Sequence, residues 1–169
     1  MVDFRHDILP LKNLIFRTAL CIVLNREEAE DIVQDTLVKL WERRKELEQV
    51  ANLEAFALTM TRRLALDRKE KMDNRSVSLD EEAHDRPGEG FANSDQRLMR
   101  QETSDFIGQI INSLPEKQRT ILQLRDIEGK NYKEIAETLS ITESDVKVTL
   151  FRARSTVKEK ILQKKSLFL

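Results

Sequence analysis

The side chains with chemistry to offer cluster between Asn131 and Arg154, in the run NYKEIAETLSITESDVKVTLFRAR. Lys147, Val148, Thr149, Phe151 and Arg152 stand at positions a core does not require. Together they can touch phosphates, base edges and thymine methyl groups. Phe151 in particular has no reason to sit on a solvated face. Two short helices must hold this set. Tyr132, Ile135, Ala136 and Leu139 fall on one face of the first, and Val146, Leu150, Ala153 and Val157 on one face of the second, so both faces need the same core. The turn Ser140-Ile141-Thr142 separates them. Thr142 serves as N-cap with Asp145 at N3, while Ile141 and Val146 occupy hydrophobic-staple positions. This is the build of a helix-turn-helix, whose second helix enters the DNA major groove.

Other chemistries find little support. Cys21 is the lone cysteine, and His6 and His84 are the two histidines, so neither an internal disulfide nor a metal cluster is expected. With no phosphate-binding glycine loop either, the sequence reads as a non-enzyme without cofactor or metal. Cys21 sits among apolar residues and is expected to be buried. No apolar run approaches the roughly 20 residues of a bilayer span, and the amino terminus lacks the basic flank and apolar stretch of a secretory signal. A cytoplasmic chain without membrane insertion is expected.

The formal net charge of -1 conceals a sorting of charge along the chain. Lys147, Arg152, Arg154, Lys158, Lys160, Lys164 and Lys165 crowd the carboxy-terminal stretch, where Glu159 stands against them. Acids gather in Glu27, Glu28, Glu30, Asp31 and Asp35, and again in Asp80, Glu81, Glu82, Asp85 and Glu89. Such asymmetry fits one surface for phosphate and another for a basic protein partner.

Only 4 Gly and 3 Pro occur in 169 residues, and strong helix formers dominate, so the expected fold is all-α. A first helical block runs from about Phe4 to Leu24. Asn25 then reads as an N-cap with Glu28 at N3, opening a helix whose Ala29, Ile32, Val33, Thr36, Leu37, Leu40 and Trp41 repeat at three and four. A third helix begins near Asn52, with Leu53, Phe56, Ala57, Met60 and Leu64 inward and Arg62, Arg63, Arg68, Lys69 and Lys71 toward its end. Pro87, Gly88, Gly90 and many acids mark a flexible linker over 75–97. Helix resumes around Leu98 and Met99. A capping box at Ser113-Leu114-Pro115-Glu116 opens another helix, which Gly129 ends. Two small helical domains result, 1–74 and 98–169, the second a four-helix unit carrying the helix-turn-helix.

The runs NREEAEDIVQDTLVKLWERR, NLEAFALTMTRRLALDRKE and SLPEKQRTILQLRDIEGKNYKEIAETLSITESDVKVTLFRAR resemble, in residue type, order and spacing, the extracytoplasmic-function family of bacterial sigma-70-type RNA polymerase sigma factors. The likeness covers nearly all of the chain outside the linker. It implies a subunit that binds RNA polymerase core at the clamp helices and flap and directs initiation at promoters, with an anti-sigma factor as a further partner. By that resemblance Asp31, Gln34 and Asp35, with Lys39 and Trp41 nearby, meet the polymerase. Carboxylates and an amide suit Arg and Lys on a coiled coil. The third helix corresponds to the strand-opening helix, so Phe56, Arg62, Arg63, Arg68 and Lys69 face the melted -10 element. Family members usually carry tryptophan where Phe56 stands and asparagine where Arg63 stands, which leaves open the base preferred there. Tyr132, Lys133, Ser144, Lys147, Val148, Thr149, Phe151 and Arg152 fall to the -35 element. The alternative is a stand-alone helix-turn-helix regulator, which would find its site without polymerase.

Overall fold

The computed structural model describes residues 1–78 and 105–167. Among them every regular element is helical: α1 (Lys12–Val23), α2 (Arg26–Glu42), α3 (Arg44–Leu47), α4 (Leu53–Ser78), α5 (105–112), α6 (Glu116–Leu122), α7 (Tyr132–Leu139) and α8 (Glu143–Leu167). The acidic stretch from residue 79 onward and the helix expected around Leu98 and Met99 lie outside the described residues.

The first block is not one helix. Phe4–Ile8 forms a π turn and Leu9–Leu11 a 3-10 turn before α1 begins. Pro10 sits in the first turn of that 3-10 segment, where a residue without an N–H leaves no bond unmade. The caps read from the sequence at Asn25 and Thr142 form as expected: Asn25 accepts from Glu28 N at 3.0 Å and Thr142 from Asp145 N at 3.1 Å. Asn52 and Asn131 cap their helices in the same way, accepting from Ala55 N at 3.0 Å and from Glu134 N at 2.8 Å. Gly129, at φ 74°, closes the π-helical continuation of α6 over Gln123–Ile127. One expected cap does not form. Ser113 Oγ turns back to the Ile110 carbonyl at 2.6 Å, and the Glu116 carboxylate goes to Arg62 and Thr120 instead of closing a box.

In the first unit α1, α2 and α4 pack as a bundle. Ile8, Ile15, Val33, Leu40, Leu47 and Ala57 fill one part of its core, and Ala19, Ile22, Val23, Ala29, Ile32 and Ala65 the other. Ala29, Ile32, Val33 and Leu40 among them are the inward residues of the three-and-four repeat in α2, which is why that helix can show acids on its far side. In the second unit Leu114, Ile121, Leu122, Leu124, Ile135, Ala136, Leu139, Val146, Leu150 and Ala153 share a core. Both stripes of the helix-turn-helix are in it, as their spacing requires. Ser140 makes the sharp turn in the left-handed region at φ 58°, a conformation that costs a side-chain-bearing residue energy and glycine very little. Ser140→Gly is expected to raise stability by about 0.5 to 1 kcal/mol, read from the denaturant midpoint.

The two units touch. Leu14 of α1 and Leu58 of α4 belong to the core of the second unit. Arg119 of α6 is 4% exposed and donates to the carbonyls of Cys21 (2.5 Å), Ile22 (3.2 Å) and Leu114 (2.7 Å). Cys21 and Ile22 stand in the last turn of α1, whose carbonyls have no partners within the helix, so a guanidinium from the other unit caps it. Cys21 is covered at the same place, its Sγ at 3.6 Å from the Arg119 carbonyl oxygen, and burial pushes its thiol up to about 11.

Candidate nucleic-acid interface

Helix α8 buries Val146, Thr149, Leu150 and Ala153. Ser144, Lys147, Val148, Phe151 and Arg152 are left exposed at three-and-four spacing along the opposite side. Phe151 is 72% exposed, an apolar ring held in water on the same stripe as Lys147 and Arg152. Thr149 was expected in this set. It is 8% exposed and packs on the core side, so it stands beneath the stripe rather than on it. Lys147 Nζ lies 5.4 Å from the centre of the Tyr132 ring, which also carries the Arg125 guanidinium at 4.6 Å. Tyr132 is half-buried at the start of α7; the Lys147 contact ties α7 to the stripe on α8, and the Arg125 contact ties α7 to the continuation of α6. Lys133 is exposed beside it. Arg154 is engaged by Asp126, with Nε to Oδ2 at 3.0 Å, which leaves Lys147 and Arg152 as the cations of the stripe without a carboxylate partner among the described residues.

A second face lies on α2, where Asp31, Gln34, Asp35, Lys39 and Trp41 are all exposed. Trp41 meets the edge of Phe4 at 5.6 Å between ring centres and carries the Arg44 guanidinium over its ring at 4.1 Å. Val38, 56% exposed, continues the line of Gln34 and Asp35. The sequence reading passed over it, although its offset from the Ile32, Thr36 and Leu40 stripe was visible in the spacing. Beneath the acids, Arg68 reaches over from α4. It donates to Glu28 and to Asp31 (2.9 Å) and lies 3.6 Å from Asp35. The Glu28 hydrogen bond holds its pKa above the ordinary value.

The residues expected at melted DNA thus divide four ways. Phe56 and Arg63 line one cleft of about 310 Å³ together with Lys39, Arg43, Thr59, Met60, Leu64 and Asp67. Arg62 forks onto Glu116 at 3.0 and 3.3 Å, and Arg68 is bound to the acids of α2. Lys69 pairs along its own helix with Asp73 at 3.7 Å. The cleft offers an aromatic edge, a free guanidinium and a carboxylate at one place, which can hold an unstacked base and its phosphate.

A helix-turn-helix with a cationic, aromatic stripe stands beside a helical bundle with an acidic face, so one chain presents two surfaces of opposite charge. Two family models match along the chain: "Sigma-70 region 2" over residues 8–75 and "Sigma-70, region 4" over residues 107–157. The chain belongs to the sigma-70 family of RNA polymerase sigma factors, in its extracytoplasmic-function branch. It is 28% identical to a probable RNA polymerase sigma factor RfaY of Xanthomonas campestris over 157 residues, covering 90% of this chain and 39% of that protein. It is 25% identical to the RNA polymerase sigma-H factor of Pseudomonas aeruginosa, covering 96% and 84% of the two chains. The chain therefore spans well under half of the first relative and most of the second. In fold it is similar to the sigma factor RpoE of Bartonella quintana, solved in complex with the anti-sigma factor NepR, with a TM-score of 0.73, 23% identity and coverage of 93% and 95%.

Proposed function

We propose that this chain is a promoter-specificity subunit without catalysis of its own, which works in the cytoplasm. It binds RNA polymerase core through the α2 face. The stripe Ser144, Lys147, Val148, Phe151 and Arg152 reads duplex at the -35 element, and the Phe56–Arg63 cleft holds opened strand at -10. The observation that carries this reading is the separation of two exposed faces of opposite charge: Asp31, Gln34 and Asp35 on one unit, Lys147 and Arg152 on the other. A basic coiled coil suits the first and a DNA backbone the second. An anti-sigma factor, as in the Bartonella complex, would act by covering either face.

Run-off transcription with purified core on a promoter library tests the whole. The expected result is initiation at a defined set of promoters that requires the chain; a chain that shifts a palindromic duplex alone and ignores core would be a stand-alone regulator. The α2 face is tested separately. Gln34→Ala with Asp35→Ala should weaken core binding about 10-fold, roughly 1.4 kcal/mol, while binding to a -35 duplex stays as it was. Unchanged core affinity would remove that face from the polymerase contact.

A further inference from the structure

The cleft on α4 keeps two opposite charges apart. Arg63 and Asp67 stand four residues apart, so one turn of helix sets them on the same side, and both line the cleft beside Phe56. Both are exposed, and neither has a hydrogen-bond or ion-pair partner among the described residues. The same order and spacing closes into a pair elsewhere: Arg26 Nε lies 3.1 Å from Glu30 and Lys69 Nζ 3.7 Å from Asp73. Lys39, in the last turn of α2, and Arg43, just beyond it, bring two more cations to the cleft, likewise without a carboxylate among the described residues. Three cations thus face one carboxylate in about 310 Å³, a space in the range of small-molecule sites.

The cations alone would suit any stretch of phosphate. Asp67 would not, because a carboxylate repels phosphate and weakens a purely electrostatic grip; what it can bind is a ligand that carries hydrogen-bond donors. An unstacked base shows its edges to whatever lines the cleft. Arg63 has donors only and ionised Asp67 acceptors only, so the base that satisfies both needs paired acceptors on one edge and paired donors on another. Guanine has them: N7 and O6 for the guanidinium fork, and the N1 and N2 hydrogens for the carboxylate. Cytosine gives the fork O2 and N3 but leaves the carboxylate only the N4 amino group. Adenine sets an acceptor, N1, beside its one amino group, and thymine flanks its single N–H with carbonyls, so the carboxylate meets repulsion on either.

We infer that this cleft is a guanine pocket: on the function proposed above, in which it holds opened strand at -10, Arg63 and Asp67 together select a guanine in that strand. Lys39 and Arg43 take the adjoining phosphates. Phe56, half-buried, is the apolar wall on which the base lies. Guanine completes four hydrogen bonds to the two side chains, cytosine three, and adenine and thymine fewer, which sets the order of preference.

Single-atom changes in the DNA test the pocket. The full chain is bound to core polymerase on a fluorescent promoter, taken from the run-off set, whose -10 region is held open by a mismatched template strand. Each opened position of the non-template strand is varied in turn. One position is expected where guanine binds about 10-fold more tightly than adenine or thymine, with cytosine between. There inosine, which lacks the N2 amino group, and 7-deazaguanine, which lacks N7, should each weaken the native complex about 5-fold or more. In Asp67→Ala inosine and guanine should bind alike, and in Arg63→Ala 7-deazaguanine and guanine should, while both variants keep the native affinity for a -35 duplex. A merely structural role for either residue would lower binding of every base together. A complex that forms equally well with all four bases at every opened position, or one whose guanine preference survives both variants, would overturn the pocket and leave the function standing. No complex on any strand would overturn the function and the pocket with it.

Discussion

Arg119→Ala is expected to lower stability by about 3 kcal/mol and to split one unfolding transition into two. The side chain is buried at 4% exposure and donates to three carbonyls, two of which belong to the end of α1 in the other unit. Hydrogen bonds from an ionised donor contribute about 1.5 to 3 kcal/mol each, and a truncated partner leaves its acceptors unsatisfied. Part of the loss is recovered if the units part and water reaches Cys21 and Ile22; the Leu114 carbonyl, within the second unit, keeps its deficit. Loss of the bonds from Arg119 also removes the buried part of the polar contact that couples their unfolding, so the first and second bundles should melt less cooperatively and their transitions separate. Arg119→Lys should recover little, because a point charge cannot serve carbonyls on two elements as a planar fork does. Urea denaturation followed by far-UV circular dichroism measures both the midpoint and the number of transitions. A single transition at the native midpoint would mean that Arg119 contributes nothing to joining the units.

Arg119 also marks the limit of what the sequence makes legible. The helices, their apolar faces and the caps at Asn25, Asn52, Asn131 and Thr142 follow from spacings of three or four residues, and each was readable because its cause is local. The exposed stripe on α8 was readable for the same reason, except at Thr149, whose short polar side chain says nothing about which side of the stripe it takes. Pro10 could have warned that Phe4–Leu24 would not be one helix. The ion pairs of Arg17 with Glu128 and of Arg62 with Glu116 join residues far apart in sequence, and nothing near any of them announces its partner. For that reason Glu116 read as half of a capping box, Arg62 and Arg68 read as free cations, and the two units read as independent. The acids of α2 likewise read as a docking face alone, while Asp31 and Asp35 also hold Arg68 against the bundle.

Arg152→Ala should weaken binding to a -35 duplex by about 1 to 3 kcal/mol if its guanidinium reads a guanine. Two geometric facts favour base reading over a phosphate contact. Arg152 stands on the same stripe as Val148 and Phe151, which are 47% and 72% exposed and have nothing to gain from a phosphate. Its guanidinium is also free of carboxylates among the described residues, unlike Arg154, which Asp126 holds. Salt separates the two roles. A phosphate contact releases a counterion, so its loss lowers affinity for every sequence and reduces the slope of log affinity against log salt by about 1. A base contact changes the slope little and lowers affinity for the cognate element alone, while the same chain on an unrelated duplex is unaffected. Equilibrium binding of native and variant chains to cognate and scrambled duplexes at several salt concentrations decides it. Lys147→Ala supplies the reference within the same stripe. Held over the Tyr132 ring, Lys147 presents a point charge without the fork that matches a guanine edge, so its removal should cost all sequences alike and reduce the slope. If Arg152 behaves as Lys147 does, recognition at -35 falls to Val148 and Phe151 packed against thymine methyl groups, and the preferred element should be rich in A·T pairs there.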